Sequence, residues 1–401
     1  ERVEEILNRV REQGDQAVFA LTRQLDGAVI NKRNFRVSSR ELAVARSLVD
    51  REFLAALELA AANIREFHQK QKPHSWMEPD ERGNLLGQVL RPLRRVGIYV
   101  PGGTAAYPST VLMNAIPAQV AGVKEIVMVS PPDAEGSLNP YTLAAAEVCG
   151  VKEIYKVGGA QAIAALAFGT ESLARVDKIT GPGNVYVTLA KKLVYGTVDI
   201  DMLAGPSEVL VIADHTARPE YVTADLLSQA EHDPMALALL LTTSFDLAEA
   251  VSQEVKQQLS SLTRQEIIRA AIEDYGAIIV TRDLEEAVAL SNRFAPEHLE
   301  LMVDEPFTWL GKIENAGAIF IGPYSPEPIG DYVAGPNHIL PTGGTARFYS
   351  PVTVDTFIKK SSVIAYSARG LAAVAEAAIK LASVEGLDAH ANSIRVRKGD
   401  G

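Results

Sequence analysis

Apolar residues follow two different spacings along the chain. Near its start, Val3, Ile6 and Val10 recur at intervals of three and four, which predicts an amphipathic helix. A second helical run covers roughly residues 39–71. From Val96 onward, short β-branched runs bounded by Gly, Pro and Asp alternate with helical segments rich in Ala and Leu. This alternation predicts βαβ units, in which helices cover the faces of parallel sheets.

Eight predicted strands are apolar on both sides, as buried parallel strands are. They cover residues 96–100, 125–129, 153–157, 208–213, 237–242, 277–280, 299–303 and 316–321. The helices predicted between and after them cover about 109–122, 139–149, 160–168, 184–194, 219–231, 246–272, 284–292 and 367–382, the last followed by a polar tail. Eight such strands could close one barrel or form two open sheets. We favour two open α/β sheets that change over near residues 201–207, with a site in the cleft between them at the carboxyl ends of strands.

Composition and charge exclude several classes of protein. The 401 residues suffice for two or three domains, and 47% hydrophobic with 22% charged residues is ordinary for a globular protein. A net charge of −11 without a basic block argues against a nucleic-acid partner. No apolar run approaches the ~20 residues that a membrane span requires. We therefore expect a soluble cytoplasmic enzyme, unless a targeting segment preceded Glu1.

Three Gly-rich loops adjoin predicted strands or helices, at residues 101–103, 158–161 and 181–184. Each could bring backbone N–H groups at the start of a helix close to a phosphate, and Gln161 and Asn184 add amide groups. The strict G-x-G-x-x-G fingerprint is absent, and each loop alone is equally well a tight turn. Together they make a nucleotide site a hypothesis.

Two short motifs suggest a chemical site. Gln229 and His232 lie three residues apart on a predicted helix, so their side chains share one face, as two ligands of one metal require. Glu297 and His298 stand just before an apolar strand and offer one group to activate water and another to transfer a proton. A solvated helix end and a surface turn are the alternatives.

The stretch 322–344 contains many Gly and Pro residues and predicts a long loop, which in a compact domain is usually functional. Within it, Asp331 is the best placed residue to be an oxygen ligand, and His338 lies nearby. Glu385 and His390 lie near the C-terminus, where position alone predicts no role.

The remaining histidines and the one cysteine are predicted to have no chemical role. His68, His74 and His215 are expected on the surface. Cys149 is the only cysteine, which excludes an intrachain disulfide and fits a reducing compartment. Nothing near Cys149 in the sequence would activate a thiol, so we expect it to be buried and inert.

Ordered motifs along nearly the whole chain resemble those of the histidinol dehydrogenase family. They lie at residues 96–103, 158–169, 177–184, 199–208, 225–234, 294–301, 331–342 and 390–394. The resemblance implies a zinc-dependent, NAD-linked enzyme that oxidises L-histidinol through histidinal to L-histidine in two hydride transfers. It also implies an intertwined homodimer in which the two subunits share each active site.

The resemblance further implies two Rossmann-like domains with small helical terminal segments. The expected first domain comprises residues 1–98 and 209–351, with a helical N-terminal segment, and the second comprises residues 99–208. Residues 352–401 are expected to form a C-terminal helical segment and tail.

Similarity to the family also assigns individual roles. It makes four residues the zinc ligands: Gln229, His232, Asp331 and His390. This set of one amide oxygen, one carboxylate and two imidazoles suits a borderline cation. By the same resemblance the substrate contacts these ligands and also Ser207, His298 and Glu385, while NAD contacts Tyr99, Gln161 and Asn184. Glu385 and His390 would come from the partner subunit.

The mechanism that the resemblance implies gives Glu297 and His298 the same roles as the motif itself suggests. His298 removes the alcohol proton as hydride leaves carbon, and Glu297 then activates the water that attacks the aldehyde. Two alternatives differ from this interpretation. A related zinc-dependent NAD dehydrogenase of another small polar alcohol would retain the metal ligands, and a two-lobed binding protein would not need Glu297 and His298 together.

Overall fold

Thirteen strands and fifteen helices form the described part of the protein. The structure is a computed structural model, and it describes residues 1–102 and 106–398. The strands are β1 (Trp76–Pro79), β2 (Leu85–Pro92), β3 (Arg95–Tyr99), β4 (Glu125–Ser130), β5 (Glu153–Lys156), β6 (Lys178–Thr180), β7 (Asp199–Ile200), β8 (Glu208–Ala213), β9 (Leu237–Thr242), β10 (Gly276–Val280), β11 (His298–Met302), β12 (Ala318–Ile321) and β13 (Ile358–Ala365).

The helices connect these strands and form both ends of the described chain. They are α1 (Arg2–Asp26), α2 (Ser39–Leu48), α3 (Arg51–Gln69), α4 (Pro108–Ala121), α5 (Pro140–Val148), α6 (Gly159–Phe168), α7 (Val185–Val194), α8 (Pro219–Ala230), α9 (Phe245–Leu259), α10 (Gln265–Tyr275), α11 (Leu284–Phe294), α12 (Phe307–Leu310), α13 (Glu327–Tyr332), α14 (Ala368–Val384) and α15 (Asp388–Lys398). Short 3₁₀ helices lie at Thr345–Arg347 and Val354–Phe357. None of the helices in the described ranges is both long and apolar enough to cross a membrane.

Two five-stranded parallel sheets carry most of the core. The first sheet has the order β5-β4-β3-β6-β7 and the second has the order β10-β9-β8-β11-β12. In each sheet the earliest strand in the chain is central, the next two lie on one side and the last two on the other, which is the Rossmann order. The prediction of two open α/β sheets is therefore confirmed.

A third, antiparallel sheet of β1, β2 and β13 was not predicted. Residues 352–401 were expected to be a helical segment and tail, but β13 pairs with β2 along its whole length, and α15 is a helix where a polar tail was expected. The strand escaped detection because most of its residues are exposed, so it lacks a buried apolar run. The predicted helix over 246–272 is also two helices, α9 and α10, which are separated at residues 260–264.

The chain divides into two compact units whose bounds differ from the predicted domains. One unit contains Glu1–Gln71 and Leu93–Phe357, and the other contains Lys72–Pro92 and the described part of Ile358–Gly401. Within the larger unit, α1 packs mainly against α6 and α7 and shares a core with the first sheet. The N-terminal helix therefore packs with residues 99–208, although the sequence grouped it with residues 209–351.

Candidate functional site

Glu297 and His298, here called the Glu–His pair, lie at the amino end of a central strand of the second sheet. His298 begins β11, and Glu208 begins β8, the parallel strand beside it. All residues of both strands are buried, which gives the pair a rigid support. Glu297, His298 and Glu208 therefore lie at the amino ends of their strands, whereas a site at strand carboxyl ends was expected.

Glu208 forms hydrogen bonds with both members of the Glu–His pair. Its N–H donates to Glu297 Oε2 at 2.8 Å, and the N–H of Glu297 donates to Glu208 Oε2 at 3.3 Å. His298 Nδ1 lies 2.9 Å from the carbonyl oxygen of Glu208. Because a carbonyl only accepts, Nδ1 carries the hydrogen and Nε2 presents its lone pair. Sequence reasoning missed Glu208, which is 89 residues from Glu297 and meets it only through the pairing of β8 with β11.

Burial shifts the pKa values of the Glu–His pair in opposite directions. It lowers the pKa of His298, against the charge of Asp331 and the hydrogen bond to Glu208, so this imidazole is neutral at neutral pH. Burial raises the pKa of Glu297 well above its usual value, and the charges of Glu208 and Asp331 raise it further, while the N–H of Glu208 opposes the shift. A neutral imidazole with a free lone pair and a carboxylate of raised pKa are both suited to accept protons.

Helix α13 brings two carboxylates to His298. Glu327 is 1% exposed, and its Oε1 lies 3.8 Å from His298 Nε2. One ligand atom each from His298, Glu327 and Asp331 lie within 4.8 Å of one another. Burial and the charge of Asp331 raise the pKa of Glu327 to about 10. The predicted ligand Asp331 therefore lies at the site, on a short helix rather than in an irregular loop, and Glu327, four residues earlier on that helix, was missed.

Helix α8 brings the predicted ligands Gln229 and His232 toward the same carboxylates. The hydroxyl of Ser228, next to Gln229, lies 3.5 Å from Glu327 Oε2. His232 follows the end of α8, is exposed, and its Nδ1 donates to the Ser228 carbonyl at 3.2 Å. The charge of His232 contributes to the lowering of the pKa of His298. His232 therefore lies near enough to His298 to affect its pKa, and Gln229 adjoins the residue of α8 that contacts Glu327.

His338 also belongs to this group of residues. Its Nδ1 donates to the Asp331 carbonyl at 3.1 Å, and burial together with the charge of His232 lowers its pKa. The sequence placed His338 in a functional stretch but gave it no role. Because Nδ1 of His232, His298 and His338 each donates to a main-chain carbonyl, all three present an Nε2 lone pair. We call His232, His298, Glu327, Asp331 and His338 the histidine–carboxylate cluster.

The donor set of this region fits a divalent transition-metal ion. The Oε1 atom of Gln229, which is 1% exposed, has no hydrogen-bond partner among the described residues, and the same holds for His298 Nε2 and Glu327 Oε1. Buried polar atoms without partners are rare, because desolvating them is costly unless a ligand satisfies them. Amide oxygen, carboxylate oxygen and imidazole nitrogen are donors that zinc accepts.

The cluster borders a cavity of about 560 Å³. His298, Asp331 and His338 supply polar groups to its wall, and most of the remaining lining is apolar. This volume and this combination of a few polar groups with apolar walls are typical of small-molecule sites.

The predicted substrate residues Ser207, Glu385 and His390 have different surroundings. Ser207 is half-buried, directly precedes Glu208, and its carbonyl accepts from Leu237 N at 2.9 Å. Glu385 is the residue at which α14 ends, and His390 lies in α15. Both are exposed residues of the smaller compact unit.

The predicted NAD residues lie beyond strand ends of the first sheet. Tyr99 ends β3, and its hydroxyl accepts from Gly159 N at 3.1 Å. Gln161 is in the first turn of α6; its amide donates to Asp26 Oδ2 at 3.2 Å, and its Oε1 has no partner among the described residues. Asn184 caps α7 because its Oδ1 accepts from the N–H groups of Tyr186 and Val187, at 3.0 and 3.1 Å.

Two of the predicted Gly-rich loops therefore follow parallel strands at the carboxyl edge of the first sheet, where open α/β sheets bind ligands. Of the third loop, Gly102 is described, whereas Gly103 lies outside the described residues.

The predicted locations of the remaining histidines and of the cysteine were confirmed except for His68. That residue is buried in α3, not on the surface, because it continues the apolar face of the helix one turn after Ile64, whose carbonyl accepts from its Nδ1 at 2.7 Å. His74 and His215 are exposed as expected. Cys149 is buried, and burial raises the pKa of its thiol to about 12, which leaves it inert.

Comparison with known proteins gives a consistent result over the whole chain. A family profile described as histidinol dehydrogenase matches residues 1–398. The histidinol dehydrogenase of Heliobacterium mobile is 61% identical over 99% of this chain and 93% of its own length, and that of Moorella thermoacetica is 58% identical over 99% and 94%.

Solved structures agree with these relatives. The crystal structure of histidinol dehydrogenase from Elizabethkingia anophelis has a TM-score of 0.95 at 43% identity, covering 98% of this chain and 91% of that one. An acetylating aldehyde dehydrogenase from Geobacillus thermoglucosidasius has a TM-score of 0.52 at 16% identity, covering 91% and 90% respectively, and is similar in fold alone.

Proposed function

Because the chain belongs to the histidinol dehydrogenase family, we propose that His298 and Glu297 carry out its proton transfers beside a bound zinc ion. The enzyme catalyses the NAD-dependent, two-step oxidation of histidinol to histidine in histidine biosynthesis, and it binds zinc. The observation that carries the proposed roles is the buried Nε2 lone pair of His298, which has no partner among the described residues and lies close to two carboxylates.

Zinc is assigned to Gln229, His232 and Asp331, with His390 of the partner subunit as the fourth ligand. When bound, the ion fixes the substrate by its nitrogen atoms and so orients the alcohol. The unpartnered Oε1 of Gln229 and the lone pair of His232 support this assignment. Substrate contacts are assigned to the same residues with Ser207, His298 and Glu385 of the partner subunit, and NAD contacts are assigned to Tyr99, Gln161 and Asn184.

In the first oxidation, Nε2 of His298 takes the hydroxyl proton while the carbon-bound hydrogen leaves as hydride to NAD, giving the aldehyde. The carboxylate of Asp331 lies beside the positive charge that forms on the imidazole. The lowered pKa of His298 favours release of this proton before the second oxidation.

In the second oxidation, Glu297 takes a proton from the water whose oxygen bonds to the aldehyde carbon and returns it to the former aldehyde oxygen, giving a hydrate. The hydrate then transfers hydride to a second NAD and a proton to His298, which leaves the carboxylic acid. Cys149 has no part in these steps, because its buried thiol is not ionised.

Two measurements on the purified protein test this function together. We expect one zinc ion per chain by elemental analysis and two NADH formed for each histidinol consumed. A panel of other small polar alcohols provides the control, and we expect turnover on histidinol to exceed turnover on each of them. Protein that contains no metal, or that oxidises another alcohol in preference, would contradict the proposal.

The shared active site gives a separate prediction about assembly. Removing residues from about 384 onward deletes Glu385 and His390, and we expect activity to be lost while the two large sheets stay folded. Mixing this variant with an intact-tail His298→Asn variant should restore roughly a quarter of the activity, since random pairing leaves one intact site in half of the dimers. Full activity in a proven monomer would contradict the shared site.

A cytoplasmic location is also our inference. It is supported by the biosynthetic role of the enzyme and by Cys149, which is a free thiol.

A further inference from the structure

A buried ion pair forms hydrogen bonds with the turn at residues 181–184, here called the nucleotide turn. Lys191 of α7 and Asp201, which follows β7, have side chains that are 3% and 0% exposed, and Lys191 Nζ pairs with Asp201 Oδ1. Lysine and aspartate are almost never buried this completely unless they are paired. Replacing such a pair with apolar residues is often neutral for stability, so stability alone does not account for it.

Both charges are directed at one residue of the turn. Gly181 N donates to Asp201 Oδ2 at 2.7 Å, and Lys191 Nζ donates to the Gly181 carbonyl at 3.0 Å. The pair therefore satisfies both polar groups of this glycine and fixes the orientation of the peptide bonds on either side of it.

Gly181 needs such support because its conformation is unusual. Its φ of +114° is a value that L side chains rarely adopt, and a Cβ at this position would lie 2.1 Å from the carbonyl oxygen of Tyr99. The nucleotide turn therefore packs closely against the end of β3. It begins directly after β6 and ends at Asn184, which caps α7.

This location is where an open α/β sheet binds a dinucleotide. β3 and β6 are neighbours, and between them the strand order of the first sheet reverses. The crevice at the carboxyl ends of two such strands is the general ligand site of this architecture. Because Lys191 is neutralised by Asp201 and buried, it can affect NAD through the shape of the turn rather than by direct contact with a phosphate.

We propose that Lys191 and Asp201 are positioning residues that hold the nucleotide turn in the conformation that receives NAD. The inference rests on the proposed NAD site at Tyr99 and Asn184, and it adds two residues that do not touch the cofactor. Their loss should therefore weaken NAD binding and leave the zinc site, which is built on the second sheet, unchanged.

The test compares variants of the full-length, zinc-loaded enzyme. Lys191→Met removes the donor to Gly181, and the double variant Lys191→Met/Asp201→Asn also avoids an unpaired buried carboxylate, so it serves if the single variant fails to fold. We expect KM for NAD and the dissociation constant for NADH, measured by fluorescence titration, to rise about tenfold, the equivalent of one good hydrogen bond. KM for histidinol and zinc content should stay within about twofold.

Arg95→Met is the matched control. Arg95 pairs with Glu125 and Glu153 at the amino edge of the same sheet, so its loss removes ion pairs without touching the nucleotide turn. This variant should have a lower melting temperature than the wild type but the same KM for NAD. Unchanged NAD affinity in a folded double variant would overturn the inference, as would an equal rise for NAD and histidinol. Failure of the wild-type enzyme to reduce NAD would instead refute the proposed function.

Discussion

Replacing His298 with Asn should lower the turnover of histidinol by about 10²–10⁴, the usual contribution of general acid–base catalysis. The Asn amide can still donate to the Glu208 carbonyl from the position of Nδ1, so the side chain should stay anchored while the Nε2 lone pair is lost. Zinc content and the melting temperature should remain close to those of the wild type. Stopped-flow measurement of NADH formation gives the rate, and normal turnover by the variant would refute the assignment of the base.

Glu297→Gln is the matched variant that separates the two oxidations. Its amide oxygen can still accept from Glu208 N–H, but it cannot take a proton from water. With an aldehyde trap present, this variant should form one NADH per histidinol instead of two. If the first oxidation is as slow in Glu297→Gln as in His298→Asn, then the division of roles between the two residues is wrong.

Replacing His232 with Ala should remove both zinc and activity. Loss of groups that merely orient a metal ligand already weakens binding about 10–100-fold, so loss of a ligand itself should exceed that range. The side chain of His232 is exposed beyond the end of α8, so the variant should fold normally. Elemental analysis after dialysis should find almost no zinc, and turnover should fall in parallel.

His215→Ala provides the control for this loss. His215 is also exposed and lies just beyond β8, but it is not part of the histidine–carboxylate cluster. Its zinc content and turnover should equal those of the wild type. If His232→Ala retains full zinc occupancy but loses activity, then His232 binds the substrate and is not a zinc ligand.

The strands that the sequence predicted best are two neighbours in the second sheet, β8, which is fully buried, and β9, which is mostly buried. The bounds of β8 and β9 agree with the predicted ranges to the residue, because apolar runs mark strands that helices cover on both faces. β1, β2 and β13 were missed because none of them carries a run of buried apolar residues. An apolar run in the sequence, rather than the burial of each residue, decided what could be found, since β10 was predicted although three of its five residues are exposed.

The candidate site divides in a similar way. Glu297 with His298, and Gln229 with His232, were found because each pair is close in sequence, and the family resemblance joined the two pairs. Glu208 was missed because its contacts depend on which strands become neighbours. The position of these groups at the amino rather than the carboxyl ends of β8 and β11 was also missed, because it depends on contacts between segments that are distant in sequence.

The inert state of Cys149 has a consequence for how the enzyme handles its aldehyde. Without an ionised thiol, Cys149 cannot hold histidinal as a thiohemiacetal between the two oxidations. Spent NADH must nevertheless be exchanged for fresh NAD during that interval. Histidinal must therefore stay bound through that exchange, and the amount of free aldehyde that escapes into solution measures how well the enzyme retains it.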